Sequence, residues 1–311
     1  MKIRATIIFS LFVIILIGFI PIKKTNDIVI NSDYFSVYKY FTTAEDWQLW
    51  QPELKIGATH SQLKRTGNLS NFSLTVPGTS FHVKKVWLND ISIRETKNNN
   101  VSDFNCIIVP EPKSNHAIIV VTREQELWKL LHSMFFQDDL RGSPIIDLKN
   151  YMEDINSFYG FNIQREFSNR SIFIVNKKTI AKKDIYQHCA PMLDELNCFV
   201  SKNRLTDFPP FLLQRIDFGK DSLQILIGLK INKNPPLSNK LDLMIIPAGR
   251  VLVGPFKGRY IDRVRLYTAM ENYMNDKSLK PILLPLEEFK NDKLPVSDTT
   301  IVDMDIISPY F

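Results

Sequence analysis

Lys280-Pro-Ile-Leu-Leu-Pro-Leu-Glu-Glu-Phe289, followed by Asp292, lies in register with Pro209-Pro-Phe-Leu-Leu-Gln-Arg-Ile-Asp-Phe218, followed by Asp221. Proline, Leu-Leu, phenylalanine and aspartate coincide without a gap, which indicates an internal duplication. The flanking elements repeat in the same order. Upstream, Ser171–Val175 reads as a strand, Ala181–Val200 as a helix, Pro210–Phe218 as a strand and Leu223–Ile231 as another. Downstream, Leu241–Ile246, Tyr260–Met274, Pro281–Phe289 and Thr300–Ile307 follow suit. The C-terminal half is therefore expected to be a duplicated β-α-β-β domain, with repeats over about 170–232 and 241–311.

Such a duplication places two helices on one face of a sheet, and a groove between packed elements is a usual place for a ligand. Alternation along the last copy puts Leu283, Glu287 and Phe289 on one side, and Leu284, Leu286 and Glu288 on the other. In the gapless alignment the first copy has Leu212, Ile216 and Phe218 at the equivalents of Leu283, Glu287 and Phe289. Glu287 thus stands where the duplicate has a hydrocarbon. Buried there, it needs a partner, a raised pKa or a ligand; on an edge strand it would simply be solvated.

Ile246-Pro-Ala-Gly-Arg-Val-Leu-Val-Gly-Pro-Phe-Lys-Gly258 resembles the entry segment of the gyrase-inhibitor-like (GyrI-like) effector-binding domains. Glu287-Glu-Phe-Lys-Asn-Asp292 and the closing Ile306-Ile-Ser-Pro309 resemble that family's Glu-x-aromatic-x-Asn-Asp segment and last strand. The resemblance covers about Phe161 to Phe311. It implies a duplicated α+β domain that binds amphipathic or cationic small molecules in an aromatic pocket with a central glutamate. Glu287 matches the glutamate, and Tyr260, Tyr267 and Tyr273 fall where the family places helix aromatics. Leu286 replaces an expected aromatic residue and Phe289 a usual tyrosine, which makes the expected pocket more apolar.

The N-terminal half reads differently. Ala5–Ile22 is an apolar run flanked by Lys2, Arg4, Lys23 and Lys24. It lacks a small-x-small cleavage site, so an uncleaved single-pass membrane anchor over 1–24 is expected, a cleaved signal peptide being the alternative, with residues 5–22 in the lipid bilayer and the domains outside the cytoplasm. Residues 25–159 then give a strand at Ile28–Ile30, a short helix capped by Asn31 or Ser32, and Trp47-Gln-Leu-Trp50-Gln-Pro52. Short strands follow at 72–76, 81–88, 92–95, 104–109 and 116–122, and a helical pattern runs from Glu124 to Phe158, broken at Arg141-Gly142-Ser143. The element order and the Trp-x-x-Trp-x-Pro motif resemble the helix-grip (SRPBCC, START/Bet v 1-like) domains. That resemblance implies a hydrophobic cavity with Trp47 and Trp50 at its mouth; packing of the helix pair onto the sheet is the alternative. The fold class expected for the whole is α+β: anchor, helix-grip domain 25–159, GyrI-like domain 160–311.

Composition excludes several classes. A net charge of +6, spread as isolated Lys pairs, gives no arginine-rich helix to follow a phosphate backbone, so no nucleic-acid partner is expected. The three cysteines form no disulfide framework: Cys189 and Cys198 would sit roughly 13 Å apart along one helix, and Cys106 falls in a strand, so all three read as small buried hydrophobes. The five histidines have no ligand spacing, so no metal is expected, and without a Gly-rich phosphate loop no cofactor is expected either. The leading expectation is a membrane-anchored binding protein for small hydrophobic or cationic ligands, lacking a DNA-binding region. A hydrolase of small electrophiles, with Glu287 as base and Tyr267 as acid, is one alternative. A structural protein with filled cavities is the other.

Overall fold

The structure is a computed structural model and describes residues 20–112, 114–127, 140, 142–205, 207–233, 240–290 and 294–311. The chain divides into two compact units, Met1–Asp154 and Ile155–Phe311.

The first unit is a seven-stranded antiparallel sheet, with strands β1 (Pro21–Ile30), β2 (Lys64–Gly67), β3 (Asn71–Val76), β4 (Thr79–Trp87), β5 (Asp90–Lys97), β6 (Asn100–Pro110) and β7 (Ala117–Glu126) in the order β1-β7-β6-β5-β4-β3-β2. Alternation builds its core: Phe72 and Leu74, Phe81 and Val83, Ile91 and Ile93, Phe104 and Cys106, Ile119 and Val121 all point inward. Three helices, α1 (Tyr34–Thr42), α2 (Ala44–Trp50) and α3 (Pro52–Thr59), separate β1 from β2. Asp33, rather than Asn31 or Ser32, caps α1, accepting the Phe35 and Ser36 amides at 2.9 and 3.0 Å.

Two expectations for this unit are corrected. The anchor cannot run to residue 22 or 24, because Pro21 to Lys24 are strand, Pro21 facing Glu126 and Lys24 facing Arg123 on β7. Among the described residues no helix is long and apolar enough to cross a membrane; the remainder of the expected span, residues 1–19, lies outside them. The helical reading from Glu124 also fails, since residues 124–126 stay in β7, where pairing with β1 satisfies their backbone. Beyond the turn at Gly142 the helices α4 (Pro144–Glu153) and α5 (Ile155–Tyr159) are separate, and α5 belongs to the second unit. Residues 128–139 and 141, in the middle of the expected helix, lie outside the described residues.

Besides α5, the second unit is an eight-stranded antiparallel sheet with two longer helices on one face. Its elements are β8 (Gln164–Ser168), β9 (Ser171–Ala181), α6 (Ile185–Lys202), β10 (Asp207–Asp217), β11 (Ser222–Ile231), β12 (Asp242–Ile246), β13 (Gly249–Arg259), α7 (Val264–Asp276), β14 (Leu286–Phe289) and β15 (Ile301–Pro309). The sheet order β12-β9-β11-β10-β14-β15-β13-β8 reads alike from both ends, with β10 and β14 meeting at the centre. The duplication is therefore real, but its repeat is β-β-α-β-β. The strand equivalent to β9 is β13, not the expected Leu241–Ile246, and each copy's first strand (β8, β12) crosses to pair with the other copy. This exchange ties the copies together with backbone hydrogen bonds at both edges of the sheet.

Both helices pack by a 3-4 spacing of apolar residues: Ile185, Cys189, Met192, Leu196 and Val200 on α6, and Leu266, Ala269, Met270, Tyr273 and Met274 on α7. Cys106 and Cys189 are buried as expected, but Cys198 lies off that stripe and is exposed.

Candidate functional site

The central strands of the two copies differ in one respect that shapes the site. β10 pairs with β11 without a break from Phe211 to Asp217, after a register shift between Phe208 and Phe211, whereas its partner strand runs from Leu286 to Phe289, with one isolated bridge before it between Pro281 and Tyr310. Pro285 precedes that strand and cannot donate to a ladder, so residues 282–285 do not extend β14, although the Ile282 amide still donates to the Pro309 carbonyl at 2.9 Å. Within β14 the alternation holds. Leu286 packs with Phe173 and Leu212 on the face away from the helices, and Phe289 joins the helix-side core, stacked on Phe211 at 5.4 Å.

Glu287 also points to the helix side, where it is 2% exposed. Four donors converge on its carboxylate. Oε1 accepts from Arg263 Nε at 2.9 Å, Tyr267 Oη at 3.1 Å and Arg215 Nη2 at 3.2 Å, and Oε2 accepts from Tyr260 Oη at 2.6 Å. Tyr260 and Arg263 lie in a single 3-10 turn that leads into α7, and Tyr267 follows one helical turn later. The spacing 260, 263, 267 brings all three side chains to one face. Both guanidiniums also lie against the Tyr260 ring, Arg263 at 3.7 Å and Arg215 at 5.1 Å from its centroid. Arg263 completes its bonding on the Tyr260 carbonyl.

Burial raises the Glu287 carboxyl above its ordinary range, and Arg215, Tyr260 and Tyr267 act against that rise. Every contacting group can donate a hydrogen bond, and the guanidiniums can only donate, so the geometry suits the carboxylate. Burial beside Glu287 drives the Tyr260 and Tyr267 hydroxyls well above the usual phenol range, so both remain protonated donors. The cluster holds two cations and one anion. With three donors on Oε1 and one on Oε2, Glu287 is an anchor for the arginines.

Two hollows adjoin this cluster. One, about 330 Å³, is lined by Arg215, Arg263, Tyr267, Asp217, Leu284 and Pro285. The other, about 430 Å³, is mostly apolar, with Met270, Met274, Ile282 and Leu283 among its walls. Tyr267, Leu284 and Pro285 belong to both. Both volumes fall in the range of roughly 300–1,000 Å³ usual for ligand pockets. Arg263 is nearly buried, but the Arg215 side chain is 24% exposed and among the described residues has a single hydrogen bond, to Glu287.

Of the residues singled out from sequence, Glu287, Tyr260 and Tyr267 come together, with Phe289 next to them, 6.3 Å from the Tyr260 ring. Tyr273 is elsewhere: its hydroxyl accepts from Arg165 Nε at 2.9 Å and its ring meets Tyr159. Trp47 and Trp50 are in the core of the first unit, their indole N–H groups bonded to the Phe41 and Tyr40 carbonyls at 2.9 and 3.1 Å, with ring centroids 4.5 Å apart. Sequence reading missed Arg215 and Arg263. The Tyr260-x-x-Arg263-x-x-x-Tyr267 spacing carried a signal for the second. Arg215 was hidden by the alignment: Phe211 and Leu213 face the helices, so Arg215, not Ile216, shares the Glu287 side of the sheet.

No protein-family model and no curated protein matches this chain. Several solved structures are similar to it. The C-terminal domain of EcmrR is 15% identical, with 49% of this chain and 98% of that one covered at a TM-score of 0.41. A hydrolase from Listeria innocua is 12% identical (52% and 98% covered, TM-score 0.35). SAV2435, solved bound to tetraphenylphosphonium, is 15% identical (48% and 94% covered, TM-score 0.31).

Proposed function

We propose that residues 155–311 form a small-molecule-binding module whose ligand lies between α7 and the segment 281–285. The observation that carries this reading is the asymmetry of the duplicated strands. Where β10 stays in the sheet, its counterpart breaks at Pro285, and the displaced residues Ile282, Leu283 and Leu284 line an apolar hollow against Met270 and Met274. Apolar surface held open beside a buried polar cluster is what a binding site needs: area to desolvate and a few groups to orient the ligand. The cation preference implied by the family resemblance loses its basis here, because Glu287 already receives two guanidiniums. For the same reason a hydrolytic role for Glu287 has no support from its geometry. For the first unit, the sheet order and the three helices after β1 support a helix-grip reading.

The test is a thermal-shift panel on the full chain with decanol, decanoate and decyltrimethylammonium, repeated on Leu283→Trp. Leu283 is 44% exposed, so the larger ring is accommodated without repacking a core. A ligand at 100 times its Kd adds about 2.7 kcal/mol to the native state. The expected result is a raised midpoint for at least one compound that is lost in Leu283→Trp. Absence of a shift with every compound, or an equal shift in the variant, would remove the groove as a binding site.

A further inference from the structure

Resting on the groove reading above, the geometry points to an amphipathic monoanion as its ligand, with the acid group received by Arg215 and the apolar chain laid along Tyr267, Met270, Leu283 and Leu284. Three observations carry this. First, the cluster has an excess of one positive charge, from Arg215 and Arg263 against Glu287. Second, the two arginines are not equivalent. Arg263 is 5% exposed and bonded to both Glu287 and the Tyr260 carbonyl, whereas Arg215 makes one hydrogen bond among the described residues and lines the hollow. A guanidinium has five N–H donors in a planar fork, so most of those on Arg215 have no acceptor among the described residues and suit a carboxylate or a similar planar acid. Third, the hollow that Arg215 lines shares Tyr267, Leu284 and Pro285 with the apolar one, so the charge sits at one end of the apolar wall.

Two acidic side chains also face these hollows. Asp217 is largely exposed and paired with Lys182 at 3.3 Å, and Glu271 is on the exposed rim of the apolar part. Solvent screens both far more than it screens the sheltered guanidinium. The ligand's charge is therefore opposite in sign to that implied by the central glutamate alone.

Calorimetric titration of the full chain with decanoate, decanol and decyltrimethylammonium, which share one chain length and differ in charge, tests this directly. A charge-assisted hydrogen bond is expected to make decanoate bind at least about tenfold tighter than decanol, and the cation weakest. Arg215→Gln should collapse the acid-to-alcohol ratio toward one. The fold should tolerate it, because Glu287 keeps Arg263 as a partner. Arg215→Lys, which keeps the charge but not the fork, should give an intermediate ratio. Binding of decanol or the cation as tightly as decanoate, or a ratio unchanged in Arg215→Gln, would overturn the anionic inference while the groove stands. If none of the three binds, or if Leu283→Trp leaves all three unchanged, the groove reading fails and takes this inference with it.

Discussion

Replacing Glu287 by Gln probes the buried cluster with almost no change in volume. Among the described residues the carboxylate is the one anion bonded to Arg263, whose side chain is 6% exposed, and it also serves Arg215 at 24%. Neutralising it leaves the Arg263 guanidinium in a sheltered site with no counter-charge, while the more exposed Arg215 can recover some hydration. Breaking a buried ion pair by removing one partner costs about 3–5 kcal/mol. A domain of this size has about 5–15 kcal/mol in total, so the loss is a large fraction of the second unit's stability. Urea unfolding reads it without the ionic screening of guanidinium chloride. Trp47, Trp50 and Trp87 belong to the first unit, so their fluorescence follows that unit while far-ultraviolet circular dichroism follows both. The Gln variant should lower the midpoint of the second unit's transition and leave the tryptophan transition in place. A change below about 1 kcal/mol, or a gain, would refute the assignment of Glu287 as the anchor of two arginines.

Other consequences are smaller. Tyr267→Phe removes one of the four donors to Glu287 and should cost about 1 kcal/mol in the same urea experiment. A Cβ at Gly254 would lie 2.8 Å from both Leu266 Cδ1 and Met270 Sδ, so Gly254→Ala should destabilise by about 1–3 kcal/mol, since relief requires α7 side chains to shift. In the first unit, burial raises half-buried Asp147 from 3.8 to about 6. The folded state then holds that proton more tightly than the unfolded chain does, so this contribution is present below about pH 4 and is lost as pH rises through about 6. Asp147→Asn should flatten the stability profile between those values and, after allowance for solvent screening, add about 1 kcal/mol at pH 7, read by tryptophan fluorescence in urea.

The sequence carried the duplication, the alternation of β14 and the need of Glu287 for partners, because these rest on periodicity and on the cost of burying charge. Tyr260 and Tyr267 were legible through the helix spacing. What was not legible depends on long-range pairing. β13 was passed over as an element of the repeat, although its exchange with β8 defines the architecture. Leu212 was aligned with Leu283 and assigned to the Glu287 side, yet it packs on the opposite face with Leu286. One residue of register was enough to hide Arg215, since in a strand a slip of one moves each side chain to the other face. The break at Pro285 reads from sequence only as a substitution for Gln214; its effect on the groove depends on which neighbours remain. The apolar run at the N-terminus set an expected anchor through Ile22, but the chain's own strand β7 claims Pro21 onward.

The central claim, that a small molecule occupies the groove beside the Glu287 cluster, is tested most directly at the methionines lining it. Carbon-13 methyl labelling of methionine gives separate signals for Met270 and Met274 in the groove, Met192 on α6 and Met152 in the first unit. Titration with decanoate should move Met270 and Met274 together, saturably, and leave Met152 still. Unmoved Met270 and Met274 signals, or saturable movement of Met152 in their place, would contradict the account.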